Sequence, residues 1–366
     1  MGEDHNLDNI RVAVVIPAYN AELYISETLK SVAEQTHQNL EIMIVDDGST
    51  DSTPTICRAF TASDGRVKVI STSNHGVAAA RNRGIKETSA EYIAFLDADD
   101  IWHPTYIDRQ LSALHELPPE WGAVYALYRL IDAHGRCFGS GPAVHARGYI
   151  FARHLAFKFV GNGSGLMVRR RVIEKIGGYD PSYAAQNLEG CEDFDLEIRI
   201  ARHFNVEVVP LGLVGYRIHA GSMSSNRERM AKAAIEVTRR CIARTGPLPD
   251  IVVRNALLSA HVYAIFNFLE ARKLVPLLKS LAAILGCDAL LGSAILFILI
   301  RRPIGKAKRA LKRLWKYTTR DAEPPAKRFL DIPLDAPLYD APSVFRTPRR
   351  MVLLEKADHE FPQTLH

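Results

Sequence analysis

The 366-residue chain is poor in the features that most quickly assign a protein to a class. Its five cysteines, at 57, 137, 191, 241 and 287, are odd in number, scattered, and never in a C-x-x-C pair. That pattern indicates neither a disulfide framework nor a zinc site, and it fits a reducing cytosol. The N-terminal segment Met-Gly-Glu-Asp-His-Asn-Leu-Asp has neither a basic region nor an apolar one, so nothing in it directs secretion. Gly2 makes no myristoylation signal, because Asn6 stands where Ser or Thr is required. No charge of one sign dominates: the net charge is +5, and no nucleic-acid partner is expected. The Gly-rich stretch Gly161-Asn-Gly-Ser-Gly165 has no following Lys and is no P-loop.

What is present is a chain with 47% hydrophobic residues, enough for one large α/β domain with an appended helical region. Arg11-Val-Ala-Val-Val-Ile16 is a continuous apolar run, the signature of a strand buried on both faces in a parallel sheet, and Pro17 ends it. Ala21 to Gln35 carries Ile25, Leu29, Val32 and Ala33 at helical spacing, with Asn20 as the expected N-cap. Leu40 to Val45 reads as a second strand running into the cap-rich turn Asp46 to Pro54. Val67 to Ser71 reads as a third, followed by a helix over Gly76 to Lys86 with Arg81, Asn82 and Arg83. This alternation predicts a doubly wound sheet whose ligand crevice lies beyond the carboxyl ends of its strands.

The fourth strand, Glu91-Tyr-Ile-Ala-Phe-Leu-Asp-Ala-Asp-Asp100, runs straight into three carboxylates. Side chains alternate along a strand, so Asp97 and Asp99 are expected to point to one side and grip one hard cation. Mg²⁺ or Mn²⁺ suits such a site, because these ions bind through one or two carboxylates together with waters and substrate phosphates. Pro17-Ala-Tyr-Asn20, Asp46-Asp47 and Asp97-Ala-Asp99 all fall at strand ends and are expected to converge.

Val15-Ile-Pro-Ala-Tyr-Asn20, Ile44-Val-Asp-Asp-Gly-Ser49, Ala80-Arg-Asn-Arg-Gly84, Phe95 to Asp100, Gly177-Gly-Tyr-Asp180 and Glu192-Asp193 occur in that order. Over about residues 11 to 226 the chain thereby resembles the family-2 glycosyltransferases of GT-A fold. The resemblance implies a Rossmann-like, doubly wound mixed sheet with a C-terminal helical extension. It also implies an inverting transferase that uses a nucleotide-diphosphate sugar and a divalent cation.

On that resemblance Tyr19 stacks on a uracil-type ring and Asp47 accepts its N–H, while Pro17 and Asn20 shape the nucleoside loop. Glu22 caps a helix or touches the base, and Arg81 meets phosphate or sugar. Asp97 reaches the ribose or the hydration shell of the metal, and Asp99 binds the metal that bridges the two phosphates. Asp193 is the expected base, with Glu192 as its structural helper and Asp195 as the other acid to consider. Because a helix's first turn favours ionised acids, such a base works mainly through position. His219, in Tyr216-Arg-Ile-His-Ala-Gly-Ser-Met-Ser224, is expected at the metal or diphosphate, and Gly161–Gly165 at the acceptor.

From Arg227 the periodicity is helical. Ser280 to Ile300 is apolar except for Asp288, and Arg301 to Arg320 holds nine Lys or Arg and no acid. An aspartate at the middle of a span costs about 2.5–3.5 kcal/mol, so a helix lying on an anionic membrane surface is expected rather than a spanning one. The reading divides the chain into a tail (1–10), a nucleotide-sugar half (11–115), an acceptor and base half (116–226), a basic helical region (227–320) and a loose Pro-rich tail (321–366). The expected site of action is the cytoplasmic face of the cell membrane, in cell-surface polysaccharide biosynthesis, on a glycan or lipid-linked acceptor. Oligomeric state is not readable. An aspartyl-phosphate phosphatase, a phosphorelay receiver and a catalytically inactive sugar-binding homologue are the competing readings.

Overall fold

A computed structural model describes residues 7–301, 327–336, 338 and 348–360. Nine strands form one sheet: β1 (Val12–Ala18), β2 (Leu40–Asp46), β3 (Val67–Ser71), β4 (Tyr92–Phe95), β5 (Ile101–Trp102), β6 (Trp121–Ile131), β7 (Cys137–Ser140), β8 (Leu166–Arg169) and β9 (Asn205–Arg217). The order is β3-β2-β1-β4-β8-β6-β9-β5, with β7 paired to β6. The first four strands in that order are parallel, and β8 joins β4 to β6 antiparallel to both. The sheet is therefore mixed, and its parallel part is the one that the apolar runs predict.

Alternation along β1 shows why the run is apolar throughout. Val12, Val14 and Ile16 enter the core on one face of the sheet, and Ala13 and Val15 enter the core on the other. Helices α1 (Ile25–Ala33), α2 (Thr53–Ser63), α3 (Val77–Lys86) and α4 (Tyr106–His115) connect these strands. On α3, Gly84 is required by close approach, since a Cβ there would lie 2.5 Å from Val15 Cγ1. The strand order reverses at β1, which has β2 on one side and β4 on the other, and this opens the crevice at their carboxyl ends.

The second half adds α5 (Phe151–Phe157), α6 (Arg170–Ile176), the single turn α7 (Ser182–Ala185) and α8 (Glu192–His203). Beyond the sheet lie α9 (Arg227–Thr245), α10 (Asp250–Glu270), α11 (Leu274–Cys287), α12 (Ala289–Arg301) and α13 (Pro348–Glu360). Helix α10 packs against α5, α9 and α11. Among the described residues it alone is long and apolar enough to cross a membrane, yet 61% of its apolar window is buried in the protein, as in a core helix.

Three expectations change. Asn20 does not cap α1: the helix begins four residues later at Tyr24, and Asn20 takes a left-handed φ of 47° and accepts from Thr50 N–H through Oδ1 (2.8 Å). The apolar run 280–300 is not one helix, because Asp288 adopts extended dihedrals and its Oδ1 accepts from Leu291 N–H (3.0 Å), ending α11 and starting α12. Nor is the described part of the C-terminal segment loose. Leu354 and Ala357 of α13 are buried, and Asp358 accepts from Ala152 N–H (2.5 Å) and Arg153 Nε (2.6 Å) at the buried start of α5. Residues 302–326, which hold the rest of the basic block, lie outside the described residues.

Candidate active site

Four strand ends and the start of α8 line one cavity of about 1300 Å³. Its walls include Pro17 in β1 with Tyr19 and Asn20 after it, Asp47 after β2, Arg81 on α3, Asp97 and Asp99 after β4, Glu192 and Asp193 on α8, and His219 after β9. Glu22 is not among the lining residues. Its Oε2 accepts from Ser52 N–H (2.9 Å), so it clasps the start of α2 instead.

At the ends of β1 and β2, Tyr19 is 51% exposed while Asp47 is buried. Asp47 Oδ1 accepts from Thr72 Oγ1 (3.2 Å) and His75 N–H (3.0 Å), and Oδ2 accepts from Gly76 N–H (2.8 Å). The carboxylate thus fixes the loop between β3 and α3. Asp46 Oδ1 accepts from Ser49 N–H (3.0 Å) within its own turn. Both acids are engaged with backbone donors, an arrangement unlike the open phospho-acceptor a receiver needs.

The carboxylate triplet does not lie in a strand. β4 ends at Phe95, and Asp97 to Asp100 form a turn closed by Asp100 N–H to Asp97 O (3.1 Å). Turn geometry rather than strand alternation brings Asp97 and Asp99 to the same cavity. Arg81, only 3% exposed, donates through Nη2 to Asp97 Oδ1 (2.5 Å) and lies over the Tyr179 ring at 5.0 Å. Burial works against the guanidinium charge, but Asp97, Tyr179, Glu192 and Asp193 outweigh it and raise its pKa further. Burial also raises the Asp97 carboxyl, against the pull of Arg81 and with the nearby charges of Asp99 and Asp193 adding. Asp99 Oδ2 faces His219 Nε2 at 2.9 Å.

Asp100 has a supporting role. Fully buried, it accepts from Ser164 Oγ (2.6 Å) and Arg217 N–H (2.8 Å), and Ser164 Oγ in turn accepts from Asp97 N–H (3.0 Å). Burial, then the charges of Asp99 and Asp97, push the Asp100 carboxyl well above its usual range. Arg217 donates to Asp99 O (2.6 Å) and Glu27 Oε2 (2.6 Å), tying β9 to the turn. Sequence reasoning missed Ser164 and Arg217. Within the Gly161–Gly165 segment expected at the acceptor, Ser164 holds the carboxylate turn.

At the other wall, Glu192 Oε2 accepts from Gly190 N–H (2.6 Å), and its Oε1 stands 3.7 Å from Arg81 Nη1. Burial raises the Glu192 carboxyl, Arg81 opposing and Asp193 adding. Asp193 is the more open of the pair, and its Oδ1 lies 3.6 Å from Lys158 Nζ. Lys158, left-handed at φ 36°, terminates α5. Burial disfavours its ammonium, but Asp193, Cys191, Glu197 and Tyr263 hold it protonated well above the usual lysine range. Nothing in the sequence marks Lys158, a single cation in an apolar stretch. Asp195 is no candidate base: it is absent from the cavity wall, fully buried, and engaged by Tyr183 (3.0 Å), Arg199 (2.8 Å) and Arg244 (3.0 Å).

Asp99 and His219 form a hydrogen-bonded pair at the cavity wall. No cluster of three or more His, Cys, Asp or Glu forms a metal cage among the described residues. Mg²⁺ and Mn²⁺ do not require one where a diphosphate and water complete the shell, so an acid, a histidine and the adjacent Asp97 fit such an ion.

Comparison with known proteins agrees with this geometry. Residues 13–134 match the model of Glycosyl transferase family 2. An uncharacterized glycosyltransferase of Nostoc sp. is 30% identical over 249 residues, which cover 64% of this chain and 74% of that protein. The putative glycosyltransferase EpsH of Bacillus subtilis is 43% identical over 221 residues, 58% of this chain and 62% of EpsH. Among solved structures, S. aureus TarS 1-349 in complex with UDP-GlcNAc superposes with a TM-score of 0.59 at 16% identity, covering 83% of this chain and 91% of that one. Mannosyltransferase PcManGT from Pyrobaculum calidifontis, in complex with GDP-Man and Mn²⁺, gives a TM-score of 0.54 at 22% identity, covering 85% and 89%. The chain belongs to glycosyltransferase family 2, built on the GT-A fold.

Proposed function

We propose that the protein is an inverting, cation-assisted hexosyltransferase that moves a sugar from a UDP-linked donor to a hydroxyl of a glycan or lipid-linked glycan. One observation carries this reading: Asp99 with His219 and Asp193 with Glu192, from separate elements, face the same cavity, with the Tyr19 and Asp47 loops at its nucleoside end. The sugar nucleotides and Mn²⁺ held by TarS and PcManGT support the donor class and the ion.

In this reading Tyr19 covers the base, and Asp47 Oδ2, with one protein donor, keeps a lone pair for the base N–H. Asp99, Asp97 and His219 would hold the divalent cation, which supplies positive charge against the diphosphate oxygens as they leave. Arg81 adds a fixed cation to the same side. Asp193 takes the proton of the acceptor hydroxyl while the acceptor oxygen bonds to the anomeric carbon, and the bond from that carbon to the diphosphate breaks on the opposite face. Glu192, held by Gly190 N–H and drawn to Arg81, fixes the start of α8 so that Asp193 is in place.

The place of action in this proposal is the cytoplasmic face of a membrane, in cell-surface polysaccharide synthesis. Support comes from the exposed apolar side chains Leu274, Val275, Leu278, Leu290 and Ile300 of α11 and α12, the second of which runs in sequence into the basic block.

The test is a panel of nucleotide sugars with and without Mn²⁺, scored by protection against thermal unfolding and then by the anomeric configuration of the product. A UDP-sugar should protect most and the product should be inverted. No protection by any donor, or protection without turnover on any acceptor, would replace this reading with an inactive homologue.

A further inference from the structure

Asn162 is 3% exposed, lines the cavity, and neither its Oδ1 nor its Nδ2 has a hydrogen-bond partner among the described residues. A buried amide is ordinarily paired, since an unmet donor and acceptor each carry a desolvation cost. The backbone on both sides of it is closely packed. Gly161, at φ +97°, lies so close to Tyr128 that a Cβ would approach Cε1 to 2.4 Å, and a Cβ on Gly163 would come within 2.8 Å of Arg81 Nη2. The loop is therefore pressed between Tyr128 and Arg81, with the amide held at the cavity wall. Arg81 Nε and Nη1 are also buried without a hydrogen-bond partner.

Position identifies the ligand part. Two residues after Asn162, Ser164 Oγ accepts from Asp97 N–H (3.0 Å), and Arg81 beside Gly163 holds the Asp97 carboxylate. Asn162 is thus attached to the turn assigned to the diphosphate, which is flanked by the donor's ribose on one side and its hexose on the other. Arg81, beside Gly163, also faces Glu192 on the helix of the proposed base (3.7 Å), and this puts Asn162 on the hexose side. A ring hydroxyl both donates and accepts, as does a carboxamide, so a hydroxyl or a vicinal pair satisfies Oδ1 and Nδ2 together.

We infer that Asn162 is a specificity-determining residue that hydrogen-bonds the hydroxyls of the transferred sugar. The inference rests on the donor reading above and adds to it a group outside the family motifs. A site built to pair with a hydroxyl discriminates strongly against a ligand that leaves it unpaired.

The experiment is titration calorimetry of the full chain in Mn²⁺ with UDP, UDP-glucose, UDP-galactose, UDP-N-acetylglucosamine, GDP and GDP-mannose. Wild type is compared with Asn162→Ala and with the volume-conserving Asn162→Leu. The sugar nucleotide that binds best should lose about tenfold in affinity in either variant while its free nucleotide binds as before, one or two hydrogen bonds being worth about that. Tm should not fall in the free protein, because no hydrogen bond is lost there. An unchanged ratio of sugar-nucleotide to free-nucleotide affinity overturns the role of Asn162 alone, and a lower Tm with that ratio intact assigns the amide a structural role instead. If neither UDP nor GDP binds wild type, the donor reading falls and takes this inference with it.

Discussion

His219 Nε2 stands 2.9 Å from Asp99 Oδ2, so a residue beyond the last long strand meets one in the turn after β4. The ring is held by Tyr24 at a centroid distance of 4.6 Å, and Arg217 lies over that tyrosine at 4.8 Å. His219→Ala should therefore weaken the apparent affinity for Mn²⁺ in turnover by about tenfold or more, with the loss partly recovered at high Mn²⁺. A titration of initial rate against Mn²⁺ checks this, and an unchanged midpoint would remove His219 from the cation site.

Asp193→Asn keeps shape and removes the proton acceptor. Loss of a positioned general base should lower kcat by about 10²–10⁴-fold. Donor affinity should change little, because in the proposed arrangement Asp193 meets the acceptor hydroxyl and not the donor. Donor calorimetry beside single-turnover rates separates the two effects, and a large loss of donor affinity would point to a binding role.

Lys158→Met should show whether the ammonium beside Asp193 matters to the base. The ammonium stands 3.6 Å from Asp193 Oδ1 and orients that carboxylate, so its loss should lower kcat with little change in donor affinity or Tm. An unchanged kcat would limit Lys158 to ending α5.

Arg244 links α9 to the catalytic half through Asp180 (2.6 Å) and the buried Asp195 (3.0 Å). Burial raises the Asp180 carboxyl, but hydrogen bonds from Arg244 and Ser182 outweigh it and lower the pKa to about 2. A carboxylate depressed on folding contributes stability above its unfolded value and loses it as pH falls through the folded one. That window runs from about pH 4 down to 2 here. With Arg244 45% exposed, screening leaves about 1 kcal/mol at stake. Arg244→Ala should flatten the acid limb of a urea-midpoint curve over that window, and an unchanged limb would sever the link.

Neutralising the basic block over 302–320 should abolish sedimentation with anionic vesicles in low salt while leaving the Tm of the catalytic core unchanged. Retained binding would move the membrane contact elsewhere or remove it.

The sequence determined the parallel half of the sheet, because a strand buried on both faces must be apolar throughout, and Val12 to Ile16 is. It determined the strand-end acids too, since the crevice of a doubly wound sheet lies where those runs end. It could not place Asp97 and Asp99 in a turn, send Glu22 to the start of α2, or break the run 280–300 at Asp288, because each depends on hydrogen bonds local patterning does not show. Lys158, Ser164, Arg217 and the unpaired amide of Asn162 carry no motif. Their meaning comes from burial and from neighbours remote in the chain, and only the packing of β8, β9 and α8 against the parallel strands brings those neighbours together.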